Sequence, residues 1–133
     1  MPLRDFKYSV DGWVGQIPFN KPESGTSSVC LKVRGPRSIT INSGLDIVRD
    51  LDKNYFEVWS GISRRIIEMC HGIRNEEELI SLLRPDILIS VPGIVSGEDI
   101  EEFDFLLIYE TVNFGSCAFG FNSWKVESAF LLS

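Results

Sequence analysis

The chain holds three cysteines and one histidine, the residue types most often used for nucleophilic catalysis, redox chemistry and metal binding. The spacing of Cys30, Cys70 and Cys117 matches neither a CxxC motif nor a zinc ligand set that His71 could complete. Cys70 and His71 are neighbours in a segment of helical periodicity, so their side chains should diverge rather than pair. Each cysteine lies in an apolar or strand-like stretch, which favours a reduced, buried thiol. We therefore expect no catalytic residues, no metal and no cofactor.

The densest charged segment is a carboxylate run over residues 98–104, with five acidic side chains in seven positions. Its members are Glu98, Asp99, Glu101, Glu102 and Asp104. Their spacing is not that of an EF-hand calcium loop. A solvated loop is the most common use of such a run, and an electrostatic surface that attracts a basic partner is the second. We predict that these five residues bind a partner, with the solvated loop as the alternative.

Three tryptophans could contribute to binding if they were exposed. We expect Trp13, Trp59 and Trp124 to pack in the core or at its edge. An exposed tryptophan would be a candidate anchor for a protein partner, because it buries a large area on binding.

The composition is that of a globular protein, with 44% hydrophobic and 24% charged residues in a chain of 133. We predict a single domain over 1–133. The net charge of -6 argues against binding to a nucleic-acid backbone, which requires a basic surface. The first residues contain no apolar leader, and the longest nearly unbroken apolar run, over residues 105–109, is too short to span a bilayer. We therefore expect a cytoplasmic protein with no membrane contact.

Alternating apolar residues over 4–20 predict a β-hairpin near the start of the chain. Asp11 and Gly12 form a dipeptide that is common in two-residue type I′ turns. A turn at these two residues would place Tyr8 opposite Gly15, where its ring could cover the bare glycine.

From Ser43 onward the apolar period changes to that of a helix. Ser43 with Asp46, and Asn75 with Glu78, have the spacing of capping boxes at helix starts. One uninterrupted helix would be unusually long, so we predict a break near residues 52–54. The predicted stripe consists of Leu45, Val48, Leu51, Tyr55, Trp59, Ile62, Ile66, Met69 and Ile73.

Strand patterns return after the helices and continue to the end of the chain. The order of strands, helices and strands predicts the α+β class. We expect a mostly antiparallel sheet of about six strands, with an amphipathic helical segment (about 44–83) packed on it.

The order of these elements resembles that of small bacterial cytosolic proteins that act as immunity-type proteins of polymorphic toxin systems. The residues that carry this resemblance are Phe6-Lys7-Tyr8, Asp11-Gly12-Trp13-Val14-Gly15, the helical segment 45–70, Phe105-Leu106-Leu107-Ile108-Tyr109 and Phe119-Gly120-Phe121. The resemblance covers most of the chain. It implies a non-enzymatic protein with a cognate toxin as its partner, and no catalytic residues are carried over from it.

We therefore predict an immunity protein that neutralises a toxin by binding to it, with its acidic surface facing a basic active-site surface of the toxin. Two other classes of function remain open. One is a small ligand-binding protein or enzyme with a cleft near residues 93–104. The other is a structural or adaptor subunit that pairs an exposed strand edge with another chain.

Overall fold

The computed structural model describes residues 6–96 and 98–132, which form nine strands and two helices. The helices are α1 (Asn42–Met69) and α2 (Glu76–Leu82). The strands are β1 (Phe6–Ser9), β2 (Gly12–Lys21), β3 (Thr26–Arg34), β4 (Leu83–Val91), β5 (Gly93–Val95), β6 (Glu101–Phe103), β7 (Phe105–Thr111), β8 (Gly115–Asn122) and β9 (Lys125–Leu132).

Seven strands form one sheet in the order β1-β2-β3-β4-β7-β8-β9, and β5 and β6 form a separate hairpin. All neighbours in the large sheet are antiparallel except β3 and β4, which are parallel. A parallel pair needs a long crossover connection, and the segment with α1 and α2 supplies it. The predicted α+β class and mostly antiparallel sheet are confirmed, with seven strands in the large sheet where about six were expected.

The first hairpin has a different register from the predicted one. Ser9 pairs with Gly12, and Val10 adopts a left-handed backbone with a φ of 40°. The turn therefore consists of Val10 and Asp11. The prediction of a turn at Asp11 and Gly12 is wrong.

Close contacts of two glycines explain this register. A Cβ atom at Gly12 would lie 2.4 Å from the carbonyl oxygen of Val33, so the glycine is needed where β2 meets β3. Phe6 pairs with Gly15, and a Cβ atom at Gly15 would lie 2.6 Å from the Phe6 ring. Phe6 therefore covers Gly15, and the prediction that Tyr8 covers this glycine is wrong.

Helix α1 runs without interruption for 28 residues, so the predicted break near residues 52–54 is wrong. Leu51 and Tyr55 are both buried, which continues the apolar stripe through this segment. The Asn54 side-chain amide donates a hydrogen bond to the Asp50 carbonyl oxygen at 2.9 Å and so points along the outside of the helix. Burial of a continuous stripe outweighs the weak helix propensity of the polar residues between its members.

The two predicted capping boxes have different outcomes. Asn75 caps α2, because its Oδ1 accepts a hydrogen bond from the Glu78 backbone N–H at 2.8 Å. Helix α1 begins one residue before Ser43, and Ile41 at its N-cap position provides no side-chain cap. The predicted box of Ser43 and Asp46 is therefore wrong.

Aromatic rings and a chain of hydroxyl groups join α1 to the sheet. Trp59 and Ile62 are 2% and 0% exposed, in agreement with the predicted stripe. The Trp59 ring lies 5.5 Å from the Tyr109 ring of β7. The Tyr55 hydroxyl lies 2.8 Å from the Tyr109 hydroxyl and donates to the Ser24 hydroxyl at 2.6 Å. This packing fixes the helix over one face of the sheet.

Candidate functional site

The β5–β6 hairpin lies on the face of the large sheet opposite α1. The Phe103 ring lies over Gly120, where a Cβ atom would be 2.7 Å from the ring. Gly93 makes a similar approach, since a Cβ atom there would lie 2.7 Å from Leu106 Cγ. Gly120 precedes Phe121, whose side chain lies on the α1 side, so the hairpin covers the other side of the sheet.

All five predicted site residues are exposed to solvent, and four of them lie on or beside this hairpin. Glu98 and Asp99 belong to the connection between the two strands, and Glu101 and Glu102 belong to β6. All four are exposed. Within residues 6–96 and 98–132, none of the four forms an ion pair. Their charges are therefore available to a partner.

The fifth residue, Asp104, links the hairpin to the β8–β9 turn. Its carboxylate Oδ2 accepts a hydrogen bond from the Ser123 backbone N–H at 2.9 Å. Its own backbone N–H lies 2.9 Å from both the Asn122 Oδ1 and the Phe121 carbonyl oxygen. Asp104 therefore has a clear positioning role, which the sequence pattern alone did not indicate.

The β8–β9 turn presents a tryptophan at the surface. Ser123 and Trp124 both have left-handed backbones, with φ values of 51° and 64°. The Trp124 side chain is 39% exposed. Its ring lies 5.2 Å from the Phe105 ring, which stacks on Phe121 at 4.7 Å. The Phe105 ring therefore packs against Trp124 at an interplanar angle of 58°, and part of the Trp124 side chain stays exposed.

We call Trp124 and the four carboxylates the acidic–aromatic surface, defined by Glu98, Asp99, Glu101, Glu102 and Trp124. Its two parts lie on opposite sides of the sheet, since Trp124 lines a groove with α1 and the hairpin covers the other side. The Asp104–Ser123 hydrogen bond connects the hairpin to the turn that carries Trp124. Sequence reasoning found the carboxylates directly. It named Trp124 only as one of three tryptophans that could serve as an anchor if exposed.

The other two tryptophans have structural roles. Trp59 is buried, and its indole N–H donates to Glu76 Oε1 at 2.8 Å. Trp13 is half-buried, and its indole N–H donates to the Ile39 carbonyl oxygen at 3.1 Å. Both indoles are therefore committed to contacts within the chain.

A cavity of about 510 Å³ lies beside the base of the hairpin, near the cleft expected at residues 93–104. Its charged groups already interact: Arg34 lies 3.4 Å from Asp11 and donates to the Ser90 hydroxyl at 3.3 Å. A hydrogen bond from Lys32 holds the pKa of Asp11 below its ordinary value, and Arg34 adds to this effect. The cavity is lined by Tyr8, Asp11, Arg34, Gly35, Pro36, Pro92 and Ile94.

The cysteines are free thiols in the structure. Cys70 and Cys117 are buried, and burial, with Cys70 as a neighbour, raises the pKa of Cys117 to about 12. Burial and the nearby Asp86 carboxylate also raise the pKa of Cys30. A protonated thiol is a poor nucleophile, so Cys30 and Cys117 are poorly suited to nucleophilic catalysis at neutral pH. His71 is exposed while Cys70 is buried, and the two form no catalytic pair.

Among residues 6–96 and 98–132, no group of three or more histidine, cysteine, aspartate or glutamate side chains is arranged to hold a metal ion. In the same part of the chain, no helix combines the length and the apolar character needed to cross a bilayer. Comparisons of the chain with protein-family models, with curated proteins and with solved structures gave no match.

Proposed function

We propose that the protein is a non-enzymatic immunity protein, which binds a toxin with a basic surface and thereby neutralises it. The observation that carries this proposal is the group of four exposed carboxylates of the acidic–aromatic surface, none of which has an ionic partner in the described part of the chain. The partly exposed Trp124 lies on the other side of the sheet, in the turn that Asp104 connects to the hairpin. The resemblance of the element order to immunity-type proteins supports the same class of function.

The two parts of the surface would have different physical roles. Exposed carboxylates steer a basic partner toward the surface and raise the association rate, especially at low salt. An aromatic side chain that becomes buried at the centre of an interface slows dissociation instead. A toxin whose active site binds an anionic substrate offers the complementary charge. Covering that site would block the toxin without any chemistry by the immunity protein.

The proposal places the protein in the cytoplasm of a bacterial cell that also encodes the toxin. The partner would be encoded beside this gene. We therefore propose the product of the neighbouring reading frame as the first candidate partner. No nucleic acid and no membrane takes part in the proposed interaction.

The test is capture of that product by the full-length protein, followed by rescue of growth in cells that express the product. We expect a stable complex and restored growth. A Glu101→Gln, Glu102→Gln variant should rescue growth less well. A Glu68→Gln, Glu77→Gln variant is the matched control, because it removes the same charge from exposed helical positions. If the neighbouring product is not toxic, or if it is toxic and neither bound nor neutralised, the proposal is wrong.

The cavity beside Ile94 favours a second candidate function, that of a small ligand-binding protein or enzyme. This cavity is an open depression at the surface with a volume of about 510 Å³. We place this candidate second because Asp11 and Arg34, which could bind a ligand, already interact with each other.

A further inference from the structure

A groove of about 360 Å³ separates α1 from the β8–β9 turn. Val58 and Gly61 of α1 form one wall, and Trp124 with Val126 forms the other. Glu57 lies at the helical side of the same groove. Asn54 and Phe121 complete the lining, so the groove combines two aromatic rings and two valines with one carboxylate and one amide.

Gly61 contributes no side chain to the α1 wall of the groove. A Cβ atom at this position would have no neighbour within 4 Å, so packing does not require a glycine. Glycine in a helix interior is less stable than alanine. Its effect here is to keep space open opposite the β8–β9 turn.

Trp124 is also unusual for the place it occupies. Two-residue turns with left-handed backbones favour asparagine and glycine, whereas Trp124 has a φ of 64°. Turn preference therefore does not account for a tryptophan at this position, whereas a role of its side chain would. The Phe105 ring packs against the Trp124 ring in a tilted arrangement, and 39% of the Trp124 side chain is exposed.

We propose that this groove receives an arginine side chain of the basic partner, a statement that rests on the proposed function. The guanidinium group stacks on the Trp124 ring, whose electron-rich face attracts a cation. Glu57 supplies the charge complementarity, since it is exposed and forms no ion pair within the described residues. The aliphatic part of the arginine packs between Val58 and Val126.

The test uses a probe that does not depend on the toxin. The full-length protein, labelled with ¹⁵N, is titrated at low ionic strength with the peptide acetyl-Gly-Gly-Arg-Gly-Gly-amide. The control peptide carries citrulline, which has nearly the same shape as arginine but no charge. We expect the arginine peptide to shift the resonances of the Trp124 indole, Gly61 and Val126, and the citrulline peptide to shift them much less.

Two variants assign the effect to the groove. Glu57→Gln should weaken binding of the arginine peptide by about threefold, the effect of a solvent-exposed ion pair. Gly61→Leu should abolish the shifts by filling the groove at a position where the fold leaves room. Equal shifts with both peptides, or shifts confined to Glu101 and Glu102, would overturn the groove as an arginine site. These outcomes are independent of toxin capture, so the two proposals can fail separately.

Discussion

The Asp104 carboxylate accepts a hydrogen bond from the Ser123 backbone N–H at 2.9 Å, and this contact joins the end of β6 to the turn that carries Trp124. Left-handed backbone is unfavourable for bulky residues, and both Ser123 and Trp124 adopt it. A hydrogen bond from the turn to a carboxylate offsets part of that cost. Asp104 is therefore a positioning residue for the aromatic part of the surface.

We predict that Asp104→Ala lowers the free energy of unfolding by about 1 kcal/mol, the usual net value of such a hydrogen bond. Asp104→Asn should lose less, because its amide oxygen can still accept from Ser123. Urea unfolding measures the stability, and the indole N–H resonance of Trp124 reports the turn. Equal stability of Asp104→Ala and the natural protein, with an unchanged indole resonance, would contradict the positioning role.

The four exposed carboxylates should control association more than dissociation. Replacing Glu98, Asp99, Glu101 and Glu102 with their amides should slow binding of the toxin by about tenfold at low salt. The salt dependence of the association rate should become flatter, while the fold stays intact. Stopped-flow mixing at several salt concentrations measures both effects. Unchanged association kinetics at low ionic strength would mean that residues 98–104 form only a solvated loop.

The fold class could be predicted from the sequence because apolar periodicity records which face of each element is buried. The break predicted near residues 52–54 relied on local propensity, which the buried pair Leu51 and Tyr55 outweighs. The register of the first hairpin could not be predicted from the sequence for a different reason. It depends on the contact of Gly12 with the Val33 carbonyl oxygen, which lies in another strand.

In the candidate site, too, features of consecutive residues could be predicted and contacts between distant residues could not. Its carboxylates are consecutive in sequence, so their density was visible at once. The Asp104–Ser123 hydrogen bond joins residues 19 positions apart, and no pattern in the sequence marks it. Exposure of Trp124 could not be predicted either, because it depends on contacts with residues distant in the sequence, such as Phe105.

The two glycines of α1 should respond in opposite ways to alanine. Gly61→Ala should raise the free energy of unfolding by about 0.5–1 kcal/mol, because the new methyl group meets no neighbour within 4 Å. Gly44→Ala is the matched control in the same helix. Its Cβ atom would lie 2.7 Å from Val33 Cγ2, so overpacking should lower stability by about 1–3 kcal/mol. Chemical unfolding of both variants checks the prediction, and a loss of stability in Gly61→Ala would contradict it.

Alkaline pH should unfold the protein through its buried tyrosines. Burial raises the pKa of Tyr109 well above its ordinary value, and burial also raises the pKa of Tyr55. The unfolded chain therefore releases these protons at a lower pH than the folded chain, so stability falls as the pH rises above about 10. Below that pH both states keep the protons and this contribution to stability is fully present. Tyr109→Phe should flatten the decline, which urea unfolding between neutral and alkaline pH can measure. An identical decline in the variant and the natural protein would show that Tyr109 is not responsible for it.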